Sequence, residues 1–259
     1  MTNKHVNYDA LAPTYNQRFA NDTDHPATAR ALANLARDLS AQAILEVGCG
    51  TGRWLAEIRS VAGRCYGLDP SKGMLAQASS RNAPVWLIRG RGESLPFPDA
   101  TFDLVYCVNA IHHMDGQQTF IHEARRVLRD GGALAVIGMD PHQQRETWYV
   151  YAYFPGTYES DLARFPSWET VIDWMRAAGF QKIERRTIER IIDDKTSATV
   201  LDDPFLQKHT SSQLALLSDA EYAGGVQKIK AAVAEAEAAN KTLIFPTELV
   251  MEMVYGTNL

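Results

Sequence analysis

Between residues 42 and 139 the chain repeats one alternation: a short, apolar, β-rich run, then an amphipathic segment, then another run. AQAILEV (41–47), RCYGLD (64–69), VWLIRG (85–90), FDLVYCV (102–108) and GALAVIGM (132–139) are short and rich in residues that favour strands covered on both faces. Helical segments lie between them. One spans about 52–60, and Ser71 opens another that carries Met74, Leu75 and Ala78 on a face. A third, opened by Asp115, carries Phe120, Ile121, Ala124, Val127 and Leu128 as one apolar stripe and is expected to end at Gly131-Gly132. Strands separated by helices in this way pair in parallel, because each crossover helix returns the chain to the same end of the sheet. The expectation is an α/β three-layer sandwich with a mostly parallel sheet.

Outside this stretch the pattern changes. Pro26 suits a first helical turn, and Leu32, Leu35, Ala36 and Leu39 follow at helical spacing. Residues 140–166 are looser. A helix is expected from Ser167 to Ala178 with Gly179 as its cap, then a β-rich run over 180–192. A last run, 242–256, should pair antiparallel with that one. The intervening 195–240 segment, read as two helices (SSQLALL and DAEYAGGVQKIKAAVAEAEAAN), is far longer than a hairpin turn. The organisation expected is therefore N-terminal helices over 1–40, and a core of 41–194 with 241–259 that includes an aromatic-rich insertion at 140–166. Residues 195–240 are expected to form a helical insertion or lid.

The 259 residues carry a net charge of −5, which argues against a nucleic-acid partner, since phosphate backbones are bound by concentrated basic surface. Arg125-Arg126 with Arg129, and Arg185-Arg186 with Arg190, are interleaved with Glu123, Glu184 and Glu189 and read as solvated mixed-charge faces. Cys49, Cys65 and Cys107 show neither zinc-ligand nor disulfide spacing, so no metal is expected. The N-terminal stretch has no basic-then-apolar leader pattern and no apolar run approaches the ~20 residues of a membrane span. The expectation is a cytoplasmic protein without a membrane span.

The most informative stretch is Glu46-Val47-Gly48-Cys49-Gly50-Thr51-Gly52, where the first strand must turn into the first helix. Glycines there accept positive φ and let a ligand approach the backbone at the carboxyl end of the sheet. NAD-binding proteins use G-x-G-x-x-G at this turn. This chain has G-x-G-x-G, Arg53 where a third dinucleotide glycine would fall, and an acid two residues ahead. A pyrophosphate would be repelled by that acid, whereas a ligand bearing an ammonium and a sulfonium suits it. Asp69, at the end of the second strand, can accept hydrogen bonds from both hydroxyls of a ribose.

ILEVGCGTG (44–52), YGLDPS (66–71), GESLPFPDATFDLV (92–105) and HHMDGQQTFIHEARRVLRDGG (112–132) together resemble the class I S-adenosylmethionine-dependent methyltransferases, in the branch similar to quinone-biosynthesis and other small-molecule methyltransferases. The resemblance implies a Rossmann-like seven-stranded sheet with an antiparallel last strand, and S-adenosylmethionine as the cofactor, leaving as S-adenosylhomocysteine. It implies Gly48, Cys49 and Gly50 at the methionine part with Glu46, and Asp69 at the ribose with Pro70 and Met74 alongside. Glu93 with Arg91 and Gly92 would lie near the adenine, and Asn109 near the methionine group. Tyr8 and Tyr15 match positions that cover the cofactor. Two departures stand out: many relatives have Asp where this chain has Arg91, and Asp130 replaces a common proline.

Methyl transfer from a sulfonium is an in-line displacement, so positioning and water exclusion supply much of the acceleration, and a base matters where the acceptor is a hydroxyl or phenol. His112 and His113, after the fourth strand, are the candidates for that base, with a structural role in the loop as the alternative. Asp140 and His142 follow the fifth strand. WYVYAYFPGTY (148–158) holds six aromatics in eleven positions against 9% over the chain. Trp148, Tyr151, Tyr153 and Tyr158, with His142, are therefore candidates for a small-molecule acceptor pocket, packing into a core being the other reading. Asn109-Ala110-Ile111-His112 stands where amino-methylating branches carry Asn/Asp-Pro-Pro-Tyr. An NAD-dependent oxidoreductase, a non-catalytic S-adenosylmethionine-binding module and an RNA or protein methyltransferase are the competing readings, and a homodimer is one assembly open to the chain.

Overall fold

The computed structural model describes residues 6–16, 26–81, 84–144 and 147–259. Five parallel strands form as the alternation requires: β1 (Ala43–Val47), β2 (Arg64–Asp69), β3 (Trp86–Arg89), β4 (Phe102–Val108) and β5 (Leu128–Gly138). The two-residue β6 (Thr147–Trp148), the long β7 (Gln181–Ile192) and β10 (Thr247–Thr257) complete one sheet, while β8 (Lys195–Thr196) and β9 (Ile244–Phe245) form a separate ribbon. The order is β3-β2-β1-β4-β5-β10, with β10 antiparallel both to β5 and, on its other edge, to β7. The 180–192 and 242–256 runs thus pair as their patterning predicts, and β6 adds a short eighth strand against Thr247 and Glu248. The strand order reverses between β1 and β4, which opens a crevice at their carboxyl ends.

Helices cover both faces. On one, α5 (Gln117–Val127) and α8 (Trp168–Ala177) bury Phe120, Ile121, Ala124, Val127, Trp168, Val171 and Met175 against Leu45, Val105, Leu134 and Val136. Each large apolar side chain so buried stabilises the layer by about 1.5–3 kcal/mol. On the other face α2 (Pro26–Asp38) and α3 (Arg53–Ile58) pack Leu32, Leu35, Ala36 and Ile58 on Ile44, Leu104, Ala135 and Ile137. The alternation of Ile44/Leu45 and Leu104/Val105 between the two cores is the period-2 signature of strands buried on both sides. The short α1 (Tyr8–Leu11) lies on α4 (Lys72–Ser79), whose Ser71 cap accepts a hydrogen bond from Met74 N at 3.1 Å.

Two boundaries differ from the expectation. The third crossover helix starts at Gln117, behind Gly116, because the Glu93 carboxylate accepts from the N–H groups of Asp115 (2.7 Å) and Gly116 (3.1 Å) and holds them outside the helix. It ends at Val127, and Gly131-Gly132 lie inside β5. Leu128 already pairs with Phe102, and Gly131, at φ +80°, makes the kink that shifts the β4–β5 register. Gly179 caps α8 as expected: at φ +92° it lets Gly179 N and Phe180 N donate to Arg176 O and Met175 O, a Schellman arrangement.

Beyond β5 a second layer of helices closes over the crevice: α6 (Tyr149–Tyr153), α7 (Thr157–Arg164), α9 (Ser212–Ala215) and α10 (Asp219–Ala238). Its own core joins Trp148, Tyr149, Val150 and Phe154 to Leu206, Leu214, Ile229, Val233 and Phe245. Only the C-terminal part of 195–240 is regular helix. Residues 197–211 instead run through two 3-10 turns, Val200–Asp202 and Pro204–Leu206, before Ser218 and Glu221 open α10 with a reciprocal capping box. Of the 1–40 region, residues 1–5 and 17–25 lie outside the described residues. Among the described residues no helix is long and apolar enough to cross a membrane.

Candidate functional site

A cavity of about 730 Å³ occupies the crevice at the switch point. Its first wall is the turn after β1. Gly48 N and Cys49 N both donate to Leu68 O, at 2.8 and 3.1 Å, which folds the turn back onto β2. Gly48 adopts φ +73°, and a Cβ there would stand 2.5 Å from the Ala110 Cβ, so glycine is dictated by both conformation and space. Asp69 faces this turn. One carboxylate oxygen accepts from Gly50 N and the other from Ser71 N, each at 2.8 Å, which leaves a lone-pair direction on each oxygen. Burial raises its pKa above the ordinary value despite those bonds.

Glu46 lies at the base of the turn, 1% exposed. It pairs in register with Tyr106 of β4, whose hydroxyl donates to Glu46 Oε2 at 3.1 Å. Burial pushes the carboxyl well up, because one phenol and one backbone bond do not replace its hydration. Asn109, at the end of β4, holds a left-handed φ of +49°, a conformation uncommon for a residue with a side chain and concentrated at functional sites.

Tyr8, Tyr15, Glu46, Gly48, Cys49, Gly50, Asp69, Pro70, Met74, Arg91, Gly92, Glu93, Asn109, His112, His113 and Trp148 all line this cavity. Arg91 and Glu93 are also used inside the protein: Arg91 Nη2 lies 2.7 Å from Asp115 Oδ2, while Glu93 caps α5. The Tyr8 hydroxyl is 2.7 Å from His113 Nε2, so α1 closes on the loop after β4. Asp9 reinforces this. Its Oδ1 accepts from Ser71 Oγ and Gly73 N, both at 2.7 Å, and these bonds lower its pKa. His112 stacks on Phe165 with ring centroids 3.7 Å apart, and burial, then His113 and Arg164, holds its imidazole well below the ordinary value. It is neutral at pH 7.

Four sequence candidates do not line the cavity. His142 bonds to Phe165 O at 2.9 Å, Tyr151 donates to Asp161 at 2.8 Å and Tyr158 donates to Pro141 O at 3.1 Å. Tyr153 packs on Phe245. Within the aromatic cluster, hydroxyl tips are used to tie helices together, and Trp148 alone of the four aromatic candidates reaches the cavity. Conversely, the lining includes residues that sequence reasoning missed: Phe165, Ile191, Lys195, Ser212, Gln213, Leu249 and Met251. They come from separate strands, a turn and the short α9, and no spacing in the sequence gathers them.

The profile of a methyltransferase domain family matches residues 45–136. A demethylmenaquinone methyltransferase of Anoxybacillus flavithermus is 32% identical over 168 residues, covering 54% of this chain and 70% of that protein. The crystal structure of a putative methyltransferase from an antibiotic biosynthesis pathway of Anabaena variabilis shares the fold, with a TM-score of 0.67 at 22% identity, over 89% of this chain and 96% of that one. A phosphoethanolamine N-methyltransferase 2 of Haemonchus contortus, solved in complex with S-adenosyl-L-methionine, aligns with a TM-score of 0.59 at 19% identity, over 96% of this chain and 57% of that one. The chain belongs to the class I S-adenosylmethionine-dependent methyltransferases.

Proposed function

We propose that this chain moves the methyl group of S-adenosylmethionine to a small, apolar or aromatic acceptor within the one cavity. The observation that carries the reading is the change in lining along it. One part is glycine backbone with two buried acids, Glu46 and Asp69; another is built from Trp148, Phe165, Leu249 and Met251. The cofactor fits the first part. The Asp69 oxygens each keep a lone-pair direction for a vicinal diol, Glu46 is an acid without its hydration, suited to an ammonium, and the glycine turn lets a ligand touch backbone. Gly48, Cys49, Gly50 and Asn109 would hold the methionine part, Asp69 and Pro70 the ribose, and Arg91, Gly92 and Glu93 the adenine, with Tyr8, Tyr15 and Met74 covering them.

When bound, the cofactor supplies an electrophilic methyl on its sulfonium. The protein's part is alignment and dryness. Through its Tyr8–His113 bond, α1 shuts one side of the cavity against water, and Phe165 fixes the plane of His112. His112 stays neutral and can accept a hydrogen bond from an acceptor hydroxyl or N–H, while His113 is the second candidate to receive a proton. Calorimetric titration with S-adenosylmethionine, S-adenosylhomocysteine and NAD, beside the Asp69→Ala variant, tests the reading. Saturable binding of the first two that is lost in the variant is the expected result. Binding of NAD alone would overturn the reading, and cofactor binding without turnover on any hydroxyl, amine or thiol acceptor would leave a non-catalytic binding module.

A further inference from the structure

Asp161 of α7 is fully buried beneath the acceptor side of the cavity and gathers donors from three helices. The Tyr151 hydroxyl of α6 reaches its Oδ2 at 2.8 Å, Gln213 Nε2 of α9 reaches the same oxygen at 2.7 Å, and Arg164 Nη2 reaches Oδ1 at 2.5 Å. With that guanidinium beside it, Asp161 is the acceptor in all three contacts.

This fixes the direction of an amide. Gln213 lines the cavity at 7% exposure, and one N–H of its amide is held by Asp161, which turns its carbonyl oxygen away from that carboxylate. That oxygen accepts from Ser212 Oγ at 3.3 Å, which uses one of its two lone pairs. Phe205, Leu249 and Trp148 line the same cavity. A buried carbonyl with a spare lone pair at a cavity wall favours a ligand that brings a hydrogen-bond donor over one that brings none.

We propose that Gln213 is a specificity-determining contact of the methyl acceptor, taking a hydrogen bond from a hydroxyl or N–H carried on an otherwise apolar body, and that Asp161 is the positioning residue that sets its orientation. The proposal rests on the methyltransferase reading and deepens it. It names the substrate class: apolar molecules with at least one hydroxyl or N–H, as opposed to fully etherified or hydrocarbon ones.

The test uses a matched pair of probes, 1-naphthol and 1-methoxynaphthalene, titrated calorimetrically into protein saturated with S-adenosylhomocysteine. Naphthol should bind about tenfold more tightly, which corresponds to about 1.4 kcal/mol. Gln213→Leu should bring the two within about threefold while S-adenosylhomocysteine affinity stays near that of the parent. Asp161→Asn, whose side chain donates as well as accepts and so frees the Gln213 amide to turn, should also shrink the ratio. Equal affinity of the parent for both probes, binding of neither, or a tenfold ratio that survives both variants would overturn the proposal. Titration of S-adenosylhomocysteine alone separates the two failures: if it binds the parent but the ratio is absent, the subsite is wrong and the methyltransferase reading stands.

Discussion

Two glycines of the same turn provide a matched experiment in which strain and steric contact can be separated. Gly50 (φ +52°) and Gly48 (φ +73°) both occupy the left-handed region, but a Cβ on Gly50 would meet nothing within 4 Å, whereas one on Gly48 would lie 2.5 Å from the Ala110 Cβ. Alanine in the left-handed region costs about 1–2 kcal/mol, and that is the whole expected effect of Gly50→Ala. For Gly48→Ala the two methyl groups must separate by about 1 Å to reach ordinary carbon contact. Neither is the tip of a flexible side chain, so the backbone of one strand end has to move, adding about 1–3 kcal/mol. The total is about 2–5 kcal/mol. Urea unfolding of both variants, with Ala110→Gly added to each, closes a double-mutant cycle. Removing the second methyl should recover about 1–3 kcal/mol in the Gly48→Ala background and nothing comparable in the Gly50→Ala one. S-adenosylhomocysteine titrations should rank the variants the same way, since the displaced turn is the proposed cofactor wall. Equal costs for the two alanines, or no recovery with Ala110→Gly, would refute the account of why the turn begins with glycine.

The ionisable groups of the site predict opposite pH trends. Burial raises the Glu46 pKa, so its contribution to stability is present below the unfolded-state value and is lost as pH rises toward the folded one. Glu46→Gln should therefore be as stable as the parent at pH 4 and more stable at pH 8, yet bind S-adenosylhomocysteine more weakly, as read by urea midpoints and calorimetry; a variant less stable at pH 8 would contradict the assignment. His112 has a depressed pKa, so its contribution is present above about 6.5, the unfolded-state value, and is lost as pH falls below it. In His112→Phe, which keeps a ring on Phe165, the drop in urea midpoint between pH 7 and pH 5 should be smaller than in the parent, and an unchanged drop would place the titration elsewhere.

The sheet was legible because its strands are punctuated. RCYGLD and FDLVYCV coincide with β2 and β4, and the β1 turn carries its own chemistry in Glu46 and three glycines. Asp69 was legible for the same reason, since a strand's carboxyl end is a fixed place in this topology. The Gly131-Gly132 pair misled because a glycine after an amphipathic run signals a helix cap equally well when it makes a bulge within the following strand. The acceptor side was far less legible. Nothing in TYESDLAR marks its Asp161 for burial, yet it is fully buried, with donors from chain segments up to 52 residues away. For Tyr151 and Tyr158 the sequence leaves pocket wall and core packing both open, and only tertiary structure shows their hydroxyls turned to Asp161 and Pro141. A local pattern records which residues are apolar; it does not record which neighbours their polar ends will find.

The small ribbon of β8 and β9 bears on how this protein can diversify. Lys195 and Thr196 pair with Phe245 and Ile244, and the Ser197 and Leu243 backbones join just beyond them, so the segment that carries α9 and α10 leaves and re-enters the sheet at one stapled neck. A loop closed at its base can be lengthened at an entropic cost that grows only logarithmically, about 0.6 kcal/mol per doubling. The register of β10 against β5 and β7 is set below the neck, out of reach of such changes. Substitutions or insertions between residues 197 and 243 can thus re-tailor the part of the cavity lined by Phe205, Ser212 and Gln213 while the turn after β1 keeps its place.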